Sequence, residues 1–212
     1  MNNAIKAAIA LPISIGVVIS GNSTHAASFT YAETVEFYDK GEFQYDNAGQ
    51  IATRTNVNNA LGAPEANANN NFLALGVGGE AVFSFGGMFS EEVKVWETTL
   101  GKYSSQSDYD EKVEVFVGND LQNWLSIGTI ENIADEAYIG GATLDIGNNN
   151  LYQYVRLVDM SEDLEGRDGF DINAIAVNME GQRERVPESS TTLSLLAIGA
   201  LAISSLSKRK QQ

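Results

Sequence analysis

Lys112-Val113-Glu114-Val115-Phe116-Val117, followed at once by Gly118-Asn119-Asp120, decides the fold. Val113, Val115 and Val117 fall on one face of an extended chain, and Lys112, Glu114 and Phe116 on the other. That is the alternation of a strand with one face on a core and the other toward water. The Gly-Asn-Asp that closes the run supplies turn chemistry. The same reading extends outward in both directions. Thr34–Tyr38, Glu80–Phe85, Glu92–Trp96, Trp124–Ile130, Ala142–Ile146, Tyr152–Val158 and Ile172–Val177 carry the same short alternation. Gly147-Asn148-Asn149-Asn150 and Gly166-Arg167-Asp168-Gly169 punctuate them. Eight strands with no sustained helical period between them predict an all-β domain, an antiparallel β-sandwich of jelly-roll type.

Two segments outside this domain have a different character. Near the start, Lys6 precedes a mostly apolar run, Ala7 to Ile19, and Thr24-His25-Ala26 offers small residues where a signal peptidase reads, so residues 1–26 read as a signal peptide cleaved after Ala26. Near the end, Val186-Pro187-Glu188-Ser189 leads into an uncharged run from Ser189 to Ser207, which stops against Lys208-Arg209-Lys210. Nineteen residues at about 1.5 Å each make a helix of roughly 28 Å, close to the hydrocarbon thickness of a bilayer. The basic residues beyond it place the preceding domain outside the cell. The expected organisation is therefore signal peptide 1–26, sandwich 27–185 and a C-terminal membrane segment 186–212.

Composition removes several chemistries. The chain has no Cys, and its one His, His25, belongs to the signal segment. The mature domain can build no Ser-His-Asp triad, no Cys-His pair and no His-ligated zinc site, and no disulfide holds it. Between Glu33 and Glu188, 28 acidic residues face nine basic ones, a net charge of −19. Nucleic acid is excluded as a partner by the lack of clustered Lys and Arg. Cations are natural counterions. Carboxylate-only glycosidase or lyase chemistry survives these exclusions, but no residue pair in the sequence identifies a cleft, and the expectation is a protein that is not an enzyme.

Three segments stand out inside the domain. Asn56 to Asn71 carries seven Asn, which reads either as an irregular loop or as a ligand or cation loop lined by amide and carbonyl oxygens. Gly76, Gly78 and Gly79 suit a tight corner before the Glu80 strand. Asp159, Glu162, Asp163, Glu165, Asp168 and Asp171 place six carboxylates in thirteen residues, with Arg167 the only counterion among them. Such a stretch is either splayed into water or gathered around a cation, and Ca²⁺ is the ion that takes six to eight such oxygens. Trp96 and Trp124 occupy strand-like positions and read as core anchors, with a ring stacked on a sugar as the alternative.

These residues carry two resemblances. The order of Val186-Pro187-Glu188-Ser189, apolar helix and basic terminus resembles the PEP-CTERM tail, which in bacteria is recognised in the membrane by an exosortase and cut near its Pro-Glu-Pro; here Ser189 stands in place of the second proline. The alternative is a plain anchor that is never cut. Ala60-Leu61-Gly62-Ala63-Pro64-Glu65, Leu75-Gly76-Val77-Gly78-Gly79, the strand and turn leading to Trp124, and Asp168-Gly169-Phe170-Asp171-Ile172-Asn173 are similar to a pattern of exported galactose-binding-like domains, the architecture of discoidin and many carbohydrate-binding modules. Glu65 and Asn173 depart from it, each standing where the pattern has Asp. The resemblance implies a structural Ca²⁺ at one end of the sandwich, held by Asp168, Asp171 and Asn173 with Asp159 beside them. It implies a non-catalytic protein of the envelope or extracellular polysaccharide matrix, or, as the alternative, a lectin-like carbohydrate-binding module.

Overall fold

The computed structural model describes residues 29–44, 47–65, 71–98 and 110–179. The predicted signal segment and the predicted tail, with Val186, Pro187, Glu188 and Ser189, lie outside the described residues. Among the described residues no helix is long and apolar enough to cross a membrane.

Ten strands form two antiparallel sheets. They are β1 (Phe29–Tyr31), β2 (Thr34–Asp39), β3 (Leu73–Ala74), β4 (Glu80–Phe89), β5 (Glu92–Glu97), β6 (Lys112–Gly118), β7 (Leu125–Glu131), β8 (Ala142–Asp145), β9 (Tyr152–Asp159) and β10 (Asp171–Asn178). One sheet runs β1-β10-β5-β8, with β3 paired to the start of β10; the other runs β2-β4-β9-β6-β7. A seven-residue helix, α1 (Ala48–Arg54), and a 3₁₀ turn (Val57–Ala60) lie between β2 and β3. The architecture is the antiparallel β-sandwich that the alternation predicts, and all eight predicted strands are present.

The core lies between the sheets because each strand turns its apolar parity inward. Val113, Val115 and Val117 of β6 meet Phe83 and Phe85 of β4, Val93 and Val95 of β5, and Ile172 and Ile175 of β10 in one buried cluster. Burying each such side chain contributes roughly 1.5–3 kcal/mol. Strand β10 is buried along its whole length. Its inner side chains enter the core, and its outer ones are small: Ala174 pairs with Trp96 and Ala176 with Tyr31. The Tyr31 and Trp96 rings, from the strands on either side, come within 5.8 Å of each other above this low strip.

The end of the sandwich where β10 begins is packed backbone against backbone. Gly76 adopts φ +75°, and a Cβ there would lie 2.7 Å from the carbonyl carbon of Gly41. Only glycine permits both the left-handed turn and that approach. The corner draws together the loops that carry Asp159, Asp168 and Asp171.

Candidate functional site

Three carboxylates converge at this end. Glu97 closes β5, Glu111 immediately precedes β6, and Asp171 opens β10. Register brings the first and last together: Ile172 pairs with Glu97, and the Thr98 N–H donates to the Asp171 carbonyl at 3.0 Å. Glu111 arrives from the other sheet. Its N–H donates to Asn132 Oδ1 at 3.1 Å, and its carbonyl accepts from the Asn132 N–H at 3.0 Å. One oxygen from each of Glu97, Glu111 and Asp171 lies within 4.8 Å of the other two. The residues are 3%, 4% and 4% exposed.

Burial without neutralisation shapes the electrostatics. The Glu111 carboxyl is held well above the usual range, first by burial and then by Glu97 and Asp168, with Arg167 opposing. Asp171 is raised in the same direction, first by burial and then by Asp168, Glu111 and Glu97, with Arg54 opposing. The Tyr38 phenol is also pushed up, by burial and then by Asp171 and Asp39. Asp171 Oδ1 is buried and accepts no hydrogen bond from the described residues.

The other acidic-loop residues have different partners. Asp168 forms a buried ion pair with Arg54, whose guanidinium also lies 5.0 Å from the centre of the Phe72 ring. Asp159 Oδ1 accepts from the Phe170 N–H at 2.8 Å and the Ser161 hydroxyl at 2.7 Å, while Oδ2 accepts from the N–H groups of Gly78 at 3.0 Å and Ser161 at 3.1 Å. Asn173 Oδ1 accepts from the Glu65 N–H at 2.8 Å; its Nδ2 donates to the Glu65 carbonyl at 3.2 Å and to Thr98 Oγ1 at 2.6 Å. Asn173 thus ties the Asn-rich segment to the β5–β10 end. Of the four residues named from the sequence as calcium ligands, Asp171 stands in the three-carboxylate cluster.

Glu97 and Glu111 were not singled out from the sequence, although a signal exists. Glu97 shares the parity of Val93 and Val95, and Glu111 that of Val113, Val115 and Val117. An acidic residue on the core parity of a strand end is worth more notice than one in an acidic loop, because burial is what makes a charge expensive.

A second surface occupies the outer face of the β2-β4-β9-β6-β7 sheet. Cross-strand register lines up Phe37, Val82, Arg156, Phe116 and Ser126. Phe37 is 45% exposed, and Val82, though outward, is covered. Arg156 Nε donates to Glu80 Oε2 at 2.8 Å, and its guanidinium lies 5.5 Å from the centre of the Phe116 ring and 5.8 Å from that of Trp124. Local sequence places that tryptophan. Asp120 Oδ1 accepts from the Gln122 and Asn123 N–H groups, closing the turn, and Gly118 leaves room for the ring, which a Cβ would meet at 2.9 Å. Trp124 is therefore a half-buried ring on the outer face, not a core anchor. Trp96 likewise stands on the outer face of its sheet, 4.9 Å beneath the Lys94 ammonium.

No family model matches the chain, and no curated protein matches it. Among solved structures, the chain is similar to a CBM62 from Clostridium thermocellum Xyl5A at 14% identity, covering 71% of this chain and 96% of that one with a TM-score of 0.43. It is similar to the C-terminal domain of a chitobiase from Bacteroides fragilis at 12% identity, covering 68% and 91% with a TM-score of 0.42. A CBM32 from a family 31 glycoside hydrolase of Clostridium perfringens aligns at 10% identity over 69% and 89%, with a TM-score of 0.37.

Proposed function

We propose that this chain is an exported, non-catalytic carbohydrate-binding module that holds polysaccharide on the outer face of its β2-β4-β9-β6-β7 sheet. Residues 1–26 direct export, 27–185 form the sandwich, and 186–212 form a PEP-CTERM-like tail that passes through the membrane to an exosortase-type enzyme. The partner is extracellular polysaccharide in the envelope or surrounding matrix.

The row Phe37–Val82–Arg156–Phe116, with Trp124 beside it, carries this reading. Sugar rings present apolar C–H faces edged by hydroxyls. Aromatic rings match the faces, while a guanidinium and a carboxylate, Arg156 and Glu80, match the hydroxyls. The enzymatic alternative has less support: Glu97, Glu111 and Asp171 converge but are 3–4% exposed, leaving no room for a glycosidic bond between them.

Affinity electrophoresis through gels containing the producing organism's extracellular polysaccharide tests the proposal. The protein is retarded, and the Phe37→Ala, Trp124→Ala double variant loses at least about tenfold in affinity while retaining a cooperative thermal transition, since neither ring belongs to the buried core. Unretarded wild-type protein, or an undiminished double variant, overturns it.

A further inference from the structure

The outer face of the β2-β4-β9-β6-β7 sheet carries a charge pattern that its aromatic row does not explain. These five strands contain two basic residues, Lys112 and Arg156. Each is paired with a carboxylate: Lys112 Nζ lies 2.6 Å from Glu131 Oε1, and Arg156 Nε and Nη2 both donate to Glu80 Oε2. Acidic groups line the neighbouring row. Register places Asp39, Glu80, Val158 and Glu114 side by side across four strands, two residues along from Phe37, Val82, Arg156 and Phe116. That spacing is about 6.5–7 Å, inside the screening length of about 8 Å at physiological ionic strength. On the other side of the aromatic row, Glu36 Oε1 accepts from the Ser84 hydroxyl at 2.6 Å. A polymer bearing carboxylates or sulfates, laid along the row, would meet Asp39, Glu114 and Glu36 while both cations of the face are already neutralised.

Resting on the reading of this face as the saccharide site, we infer that it takes an uncharged polysaccharide and that the Glu80–Arg156 pair sets this selectivity. The pair separates two roles that a guanidinium can play. Its charge is offset by Glu80, but its donors are not exhausted. Of the five N–H groups of an arginine, Nε and one on Nη2 go to Glu80, and the rest donate to none of the described residues. The guanidinium stands 5.5 Å from the centre of the Phe116 ring and 5.8 Å from that of Trp124. The Arg156 and Glu80 side chains are 27% and 24% exposed, so a bound sugar can reach them. Arg156 thus offers N–H groups to hydroxyl oxygens beside the rings on which the sugar stacks, without offering net charge to an anion. Glu80 is a positioning residue that fixes the guanidinium in the row and cancels its attraction for carboxylates. The whole chain acts in the same direction, since 28 Asp and Glu against 13 Lys and Arg repel a polyanion at longer range.

The test uses the intact purified protein and the producing organism's extracellular polysaccharide, split on an anion exchanger into neutral and acidic fractions that are cast into separate affinity gels. The neutral fraction retards wild-type protein, and its apparent affinity changes less than about twofold between low and high salt, because stacking and hydroxyl contacts are not screened. The acidic fraction does not retard it until its carboxyls are reduced to alcohols. Glu80→Gln frees the guanidinium and gains at least about fivefold in affinity for the untreated acidic fraction, a gain that high salt abolishes. Glu92→Gln, which removes the same unit charge from the other sheet, gains nothing. Equal or stronger retardation of wild-type protein by the untreated acidic fraction, lost in the Phe37→Ala, Trp124→Ala double variant, overturns the selectivity and leaves the face as the saccharide site. Retardation that the double variant keeps, or none with either fraction, overturns the face and the inference with it. No gain in folded Glu80→Gln, or an equal gain in Glu92→Gln, overturns the role of Glu80. The wild-type comparison decides the selectivity whether or not Glu80→Gln folds.

Discussion

Asp159 and Asp171 lie twelve positions apart in the same acidic stretch and are buried alike, at 3% and 4% exposed, yet they are opposites. Asp159 receives four donors, three backbone N–H groups and the Ser161 hydroxyl, drawn from Gly78, Ser161 and Phe170. Asp171 has an oxygen that accepts nothing from the described residues and faces two other buried carboxylates. Burial is therefore not what separates these two carboxylates. The difference lies in whether donors meet its lone pairs. Asp159 is a clamp that joins the glycine corner to the entry of β10, and Asp171 is a buried carboxylate with an oxygen that no described donor meets.

Cutting the clamp has the largest expected effect. Asp159→Ala leaves the buried Phe170 N–H and three part-buried donors without their acceptor and costs about 2–3 kcal/mol, read as a lower urea midpoint. A loss below about 1 kcal/mol would break the comparison, since the four donors would then be no different from solvated ones. Next in size is a pH effect of defined sign in chelated protein. The folded chain holds protons on Glu111 and Asp171 where the unfolded chain, with ordinary carboxyl groups near pH 4, has lost them. The folded state thus binds more protons, and stability falls as pH rises from about 4 toward the raised values. The slope is at most about 1.4 kcal/mol per pH unit for each group. Urea denaturation across that window reads it; a rise in stability over the same window would contradict the assigned direction. The smallest effect belongs to Asp171→Asn in chelator. The amide removes a buried charge and can donate toward Glu97 or Glu111, so stability is unchanged or rises by about 1 kcal/mol. Destabilisation comparable to that of Asp159→Ala would make Asp171 a second clamp.

Much of the sandwich was legible because side-chain alternation is local. Val113, Val115 and Val117 declare their face from three residues alone, and Gly76 and Gly78 mark the corner where the structure has positive φ. Strands β1 and β3 were missed for the same reason: Leu73–Ala74 is too short for a period of two to appear, and it becomes a strand only by pairing with β10. The two tryptophans were misread because bulk predicts burial on average, whereas here β5 and the Asp120 turn turn them to outer faces.

Taken alone, the sequence determined a two-faced strand architecture and a chemistry limited to oxygen ligands, because parity and composition need no knowledge of neighbours. It also held a hint of the cluster, with Glu97 on the parity of Val95 and Glu111 on that of Val113. Tertiary structure alone decided that these two meet Asp171, that Asp168 meets Arg54, and that Asp159 meets Gly78 and Phe170. Those encounters depend on strand register and on how one sheet lies over the other. Neither is written in a run of six residues, since each is set by the packing of the whole core.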